Sequence, residues 1–144
     1  MQRQKSGRLG KWLITIGTAI YTLIPLAVDL LTPTHIFNPD WVAHARFHTM
    51  WAMLSAFTMG LLALWFLWRK SEDRHVGVNI AGAIGSGVLG TFMIATMTMP
   101  LYGGALADAN GVTPLAGGID ANLAIFLVAL VMVLSGWFLA FKDN

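Results

Sequence analysis

The sequence contains no cysteine and few charged residues. The lack of cysteine excludes disulfide bonds, thiolate metal sites and cysteine nucleophiles. Asp, Glu, Lys and Arg make up 11% of the 144 residues, whereas a soluble domain usually carries about 25%. Hydrophobic residues make up 56% of the chain, and its mean hydropathy is +0.66. These proportions leave no room for a sizeable soluble domain and predict a single membrane domain over residues 1–144.

The basic residues lie beside apolar runs. The formal net charge is only +2, so this arrangement fits lipid headgroups better than nucleic acid, and we expect the lipid bilayer to be the partner. Residues 1–11 are basic and residues 12–31 are apolar, as in a signal peptide. The apolar run is too long for one, however, and no cleavage-site pattern follows before Pro33. We therefore expect a retained transmembrane helix.

Four apolar segments are long enough to cross about 30 Å of hydrocarbon. They predict an all-α, four-helix transmembrane bundle with spans at approximately residues 12–31, 38–68, 76–99 and 120–141.

In the third span, Gly82, Ser86 and Gly90 recur at four-residue spacing, which predicts close helix packing. Asp120 is a good N-cap for the fourth helix. The loop 100–119 is either a plain connector or a lid, and its strong polar groups before Thr113 are Tyr102, Asp108 and Asn110.

The positions of Lys and Arg predict the orientation of the bundle. Eight of the nine basic residues fall in the N-terminal tail, the connector between spans two and three, and the C-terminal tail. Only Arg46 lies on the other side. Basic residues are enriched in cytoplasmic segments, so we expect both termini to be cytoplasmic, in a bacterial inner membrane.

Three of the four histidines fall within residues 35–48. Asn38 followed by Pro39 predicts a helix start there. His44 and His48 then share one face of that helix. His48 would lie about 15 Å along the helix, at or below the membrane surface, where an ionisable side chain usually faces the bundle interior.

Other side chains extend this histidine-rich region. Trp41 and Trp51 continue nearly the same stripe as the two helical histidines, whereas Arg46 points elsewhere. Asp29 lies one turn from the outer end of the first helix and shares a face with Tyr21 and Pro25. Asp29 is level with the histidines, so it could orient an imidazole or form a purely structural pair with Arg46.

The histidines allow three interpretations. Two histidines at this spacing can ligate one divalent metal ion in cis, and His35 or Asp29 would complete a non-haem site. A haem would instead take one histidine, because its axial positions lie on opposite faces of the macrocycle. The third interpretation is that the histidines cap loops and hydrogen-bond carbonyl groups at the membrane interface.

The arrangement resembles styrene oxide isomerase and its relatives, which have four transmembrane helices and cytoplasmic termini. Their segment Trp-Ala-Arg-Ala-His has a counterpart here in Trp41 followed by Ala45-Arg46-Phe47-His48, and Gly117-Gly118-Ile119-Asp120 matches their glycine-rich loop and acidic start of the fourth helix. The chain departs from the family at Leu54, where the family has asparagine, and in its third helix, which has no aspartate. Tyr102 is a loose counterpart of the family tyrosine.

The resemblance implies a haem b protein in which ferric iron acts as a Lewis acid and rearranges an apolar epoxide to a carbonyl product. His48 would be the iron ligand, with Trp41, Arg46 and Trp51 beside the cofactor and with pocket groups His44, Asp29 and Tyr102. It also implies a homo-oligomer, a trimer, with a substrate that enters from the lipid. The alternatives are a non-haem metal enzyme that uses His35, His44, His48 and Asp29, and a non-catalytic lipid-binding or accessory subunit.

Overall fold

The computed structural model describes residues 2–107, 114–115 and 117–142. Asp108 and Asn110 of the outer loop lie outside these residues. Within them the chain forms four α-helices and no strand: α1 (Gln2–Leu31), α2 (Ala43–Trp68), α3 (Arg74–Tyr102) and α4 (Ala121–Lys142). All four are long and apolar enough to cross a membrane. The prediction of an all-α integral membrane protein with four transmembrane helices is confirmed, and the helix surfaces contact the lipid bilayer.

The predicted start of α2 at Asn38 is wrong. The helix begins at Ala43, and the preceding Val42 makes no capping hydrogen bond through its side chain. Asn38 is fully buried in the connector instead. Its side-chain amide donates to the carbonyl of Thr34 over 3.2 Å, and its side-chain oxygen accepts from the backbone N–H of Asp40 over 3.0 Å. Asparagine forms such local bonds in loops as readily as it caps helices, and here the loop bonds replace the cap.

The beginning of α1, the end of α4 and the connector between α2 and α3 lie at one end of the bundle, which we call the terminal end. Lys11 donates to the carbonyl of Leu67 over 3.3 Å and lies 5.7 Å above the ring of Trp68. The Trp68 ring in turn lies 5.2 Å from that of Trp12. At the opposite end, the loop end, α1 is followed by the connector of residues 32–42 and α3 by the outer loop. Basic and aromatic side chains are thus clustered at the terminal end. That this end faces the cytoplasm stays a prediction.

Glycines allow the helices to approach closely. A Cβ atom on Gly10 would lie 2.5 Å from the carbonyl oxygen of Gly136, so α1 and α4 touch backbone to backbone. In α3, a Cβ atom on Gly82 would overlap the indole of Trp137, whereas one on Gly90 would meet nothing within 4 Å. The small-residue stripe of α3 therefore packs inside the bundle at its Gly82 end only.

Asp120 caps α4 as predicted, since its carboxylate accepts from the N–H of Leu123 over 3.0 Å.

Candidate functional site

The structure separates the outer histidines into two pairs. In one, His35 contacts Asp29; in the other, His44 contacts His48. Across the residues that the structure describes, no three His, Asp or Glu side chains come together as a group that could hold a metal ion. The expected four-residue non-haem site is therefore not assembled within one chain.

Of the two partners that the sequence allowed for Asp29, an imidazole and Arg46, the structure shows an imidazole, that of His35. The Oδ1 atom of Asp29 lies 2.6 Å from Nδ1 of His35. The hydroxyl of Thr34 lies 3.1 Å from the same nitrogen, and the ring of Trp41 packs edge-on against the imidazole at 5.2 Å. The Asp29 side chain is 10% exposed and the His35 side chain 31%. We call these two residues the Asp29–His35 pair; they form a polar corner at the loop end.

This pair lines a cavity of about 280 Å³ between α1, α3 and α4. The walls are mostly apolar, and among its described lining residues none belongs to α2. Phe92 and Phe126 form one wall with their rings stacked, 4.4 Å between centroids. The side chain of Asn122 also lines the cavity and donates to the carbonyl of Leu106 over 3.3 Å. The cavity thus has aromatic and aliphatic walls and a polar corner.

His44 and His48 lie together on the exposed face of α2. Their Nε2 atoms are 3.0 Å apart and their ring centroids 4.4 Å apart. The predicted shared face is confirmed, but the expectation that His48 faces the bundle interior is wrong. The inward face of α2 consists of other side chains, namely Met53, Gly60, Ala63 and Leu67. Because the helix begins at Ala43, His48 lies only about 8 Å from its start, a shallower position in which an exposed imidazole is less costly.

An apolar depression adjoins His48 on the same face. It has a volume of about 310 Å³ and is lined by Phe47, Met50, Trp51 and Leu54. The imidazole of His48 lies 5.6 Å from the ring of Phe47 and 5.9 Å from that of Trp51. Phe47 is 62% exposed and Trp51 60%. A single chain therefore presents two imidazoles beside a broad apolar surface that faces away from the bundle.

Three predicted site residues lie away from His44 and His48. Trp41 packs against His35, so it does not continue the stripe of α2. Arg46 donates to the backbone carbonyl of Asn38 over 2.7 Å, and the suggested Asp29–Arg46 bridge is not found in the described part of the chain. Tyr102 is 61% exposed at the end of α3 and donates to the carbonyl of Ala95 over 2.8 Å. It is absent from the described lining of the cavity.

Sequence reasoning missed Asn122 and the stacked pair Phe92 and Phe126. Asn122 is a polar residue in the first turn of an otherwise apolar helix, which is a usable signal for a functional position. The two phenylalanines give no such signal, because apolar residues occur throughout α3 and α4 and only the helix packing brings these two together.

Comparison with known proteins yields one partial similarity. The chain is 30% identical over 93 residues to the protein named Heme A synthase 2 of Acidiphilium cryptum (strain JF-5), a match that covers 57% of this chain and 24% of that protein. The chain thus spans about a quarter of the length of this relative. No family model and no solved structure matches the chain.

Proposed function

We propose that the chain is a membrane protein that binds haem b, and that His48, on the exposed face of α2, is the residue that would hold its iron. The observation that carries this proposal is the exposed imidazole of His48 beside the apolar depression lined by Phe47, Met50, Trp51 and Leu54. The partial similarity to a protein named for haem A supports a link to haem, as does the resemblance to styrene oxide isomerase.

The residues of this face fit the demands of a haem. A haem requires an imidazole or another axial ligand and an apolar surface for the macrocycle. His48 offers the first, and Phe47, Trp51 and Leu54 offer the second. The Nε2 atom of His48 contacts Nε2 of His44, so His44 competes with iron for that nitrogen and must turn aside when iron binds there.

A haem on this face needs a cover on its other side. Phe47, Trp51 and Leu54 are half or more exposed in a single chain, and in a membrane such a surface is covered either by lipid or by another protein. We propose that a second copy of the chain covers it, in a homo-oligomer that the resemblance makes a trimer. We also propose that both termini lie in the cytoplasm of a bacterium and that the loop end lies outside the inner membrane.

For the reaction, we propose the rearrangement of an apolar epoxide to a carbonyl compound. A ferric haem held by His48 would supply a Lewis acid for an epoxide oxygen, and no protein base is strictly required for that chemistry. The chain would contribute the apolar side chains of Phe47, Trp51 and Leu54, which exclude water from the haem, and the substrate would enter from the surrounding lipid. Leu54 replaces the asparagine of the family, so at this position the chain offers the substrate an apolar contact rather than a hydrogen bond.

A UV–visible spectrum tests the proposal. The protein is purified in mild detergent from haem-supplemented cells, together with His48→Ala and with His75→Ala as a matched control near the terminal end. We expect a Soret band in the wild type and in His75→Ala, and its loss in His48→Ala. The absence of a Soret band from the wild type, or its persistence in His48→Ala, would refute the assignment. If the band is present, styrene oxide is the first substrate to assay.

A divalent metal ion between His44 and His48 is the second candidate. Two nitrogens that bind one tetrahedral zinc ion, with bonds of about 2.0–2.1 Å, lie about 3.3 Å apart. The two Nε2 atoms are 3.0 Å apart, so a small separation of the two rings would bring them to that distance. A further ligand would have to come from another chain or from solvent. Stoichiometric metal without porphyrin, lost in the double variant His44→Ala, His48→Ala, would favour this function. Protein with neither cofactor would favour an accessory or lipid-binding role.

A further inference from the structure

The cavity beside the Asp29–His35 pair belongs to a different part of the molecule from the exposed face of α2. Its described lining comes from α1, α3, α4 and the loops at the loop end, and most of that lining is apolar. Helix α1 contributes Ile20, Ile24 and Val28 to the walls. An occupant of this cavity would therefore be held mainly by hydrocarbon and aromatic side chains.

The polar side chains of the described lining already have partners within the protein. Asp29 contacts His35, with 2.6 Å between Oδ1 and Nδ1, and the amide of Asn122 donates to the carbonyl of Leu106. A polar group beside apolar side chains is costly unless it has such a partner. Because these groups are paired, an occupant of the cavity does not have to form a hydrogen bond to compensate them.

The volume of the cavity sets the size of its occupant. A cavity of about 150 Å³ holds one benzene molecule. The observed volume of about 280 Å³ therefore suits a molecule of about two fused rings.

Phe92 of α3 and Phe126 of α4 make the walls selective. Both side chains line the cavity, and their rings are stacked with 4.4 Å between centroids. A molecule dissolved in lipid is already in apolar surroundings, so burial alone hardly distinguishes one apolar molecule from another. Aromatic molecules also gain offset-stacked or edge-on contacts with other rings, which lipid chains do not offer. The two phenylalanines therefore favour an aromatic occupant over an aliphatic one.

We propose that this cavity is a binding site for a compact aromatic molecule of low polarity with about two rings. Phe92 and Phe126 provide the ring contacts that select it, and the α1 side chains complete the apolar wall. The proposal does not depend on a haem, since the described lining of the cavity contains no residue of α2.

The test uses naphthalene as the probe and decalin, its saturated counterpart, as the control. The full-length protein carries ¹³C-methyl-labelled isoleucine and is placed in lipid nanodiscs, and empty nanodiscs measure partitioning. Ile20, Ile24 and Ile125 line the cavity, whereas Ile14 and Ile84 belong to a separate core cluster. Single Ile→Val substitutions assign the signals.

We expect the ring current of naphthalene to shift the methyl signals of the three lining isoleucines saturably and to leave those of Ile14 and Ile84 unchanged. Decalin, measured by displacement of naphthalene, should bind about two- to tenfold more weakly at equal concentration in the lipid, because it lacks the ring contacts.

Two pairs of variants separate the cavity from the rest of the bundle. Phe126→Leu removes a ring of the wall and should reduce the preference for naphthalene over decalin, whereas Phe138→Leu, at a side chain that is 60% exposed, should not. Val28→Phe fills part of the cavity and should weaken both molecules. Val131→Phe, the same substitution at a position that is 56% exposed, should leave both affinities unchanged.

Equal affinities of the wild type for naphthalene and decalin would overturn the proposal, since an aliphatic molecule would then fill the cavity equally well. Methyl shifts that do not saturate, or that are the same in Val28→Phe, would also overturn it. The comparison of naphthalene with decalin uses the unmodified protein, so it tests the proposal even if a variant does not fold.

Discussion

Asp29 and His35 face each other across the end of α1, with 2.6 Å between carboxylate oxygen and imidazole nitrogen. The helix supplies the carboxylate, and the connector that follows it turns back to supply the imidazole. The contact therefore joins the conformation of the connector to the last turn of α1. A substitution of either residue should therefore affect both the connector and the last turn of α1.

This pair should contribute measurably to stability. Asp29→Ala removes the shortest hydrogen bond of the His35 imidazole, a bond to a nearly buried carboxylate, so it should lower the free energy of unfolding by about 1–3 kcal/mol. Unfolding in increasing SDS measures the change, with Glu72→Ala in the exposed connector as the control. In a double-mutant cycle with His35→Ala the losses should be less than additive. Strict additivity would mean that the two side chains do not interact.

Asn38 should matter more to the connector than to α2. Its fully buried side chain forms hydrogen bonds with Thr34 and Asp40, and its backbone carbonyl accepts a hydrogen bond from Arg46. Asn38→Ala should cost about 1–3 kcal/mol through the lost bonds, while circular dichroism should show unchanged helix content because α2 begins at Ala43. A clear loss of helix in this variant would contradict the boundary.

Two glycines should respond in opposite ways to the same substitution. A Cβ atom on Gly60 would overlap the hydroxyl of Thr22, whereas one on Gly87 would meet nothing within 4 Å. Gly60→Ala should therefore destabilise the bundle by about 1–3 kcal/mol. Gly87→Ala should leave its stability unchanged or slightly raised, since alanine is the better helix former. SDS-induced unfolding compares the two, and equal effects would show that α1 and α2 do not pack as described.

His44 and His48 should behave differently toward haem. Because His44 competes for Nε2 of His48, His44→Leu should retain the Soret band and tighten haem binding up to about fivefold, the equivalent of one modest hydrogen bond. His48→Ala should lose the band. Haem titration of the cofactor-free variants followed at the Soret maximum measures both. Loss of the band in His44→Leu and its retention in His48→Ala would make His44 the ligand.

The absence of cysteine makes the orientation straightforward to measure. Ser71→Cys lies in the connector at the terminal end, and Leu115→Cys lies in the outer loop. With intact bacterial cells and a membrane-impermeant maleimide, we expect labelling of Leu115→Cys, and of Ser71→Cys only after lysis. Labelling of Ser71→Cys alone in intact cells would place the termini outside.

The sequence was sufficient for the four helices because their length and hydropathy are direct requirements of a membrane span. It could not locate the start of α2, since Asn38 is equally suited to a cap and to a loop, and only the bonds to Thr34 and Asp40 decide between them. Periodicity predicted that His44 and His48 share a face. It could not predict which way that face points, because α2 is apolar around its whole circumference and lipid is as apolar as the bundle interior.

The cluster of Lys11, Trp12 and Trp68 has a consequence for how molecules reach the Asp29–His35 cavity. Indole and ammonium groups favour the headgroup level of a bilayer, and this cluster therefore anchors the terminal end at one membrane surface. Asp29 lies about 27 Å further along α1, just within the far side of about 30 Å of hydrocarbon. The cavity therefore lies near the far membrane surface. An apolar molecule that entered it from the membrane would come from the far leaflet, where its concentration would follow the oil–water partition coefficient.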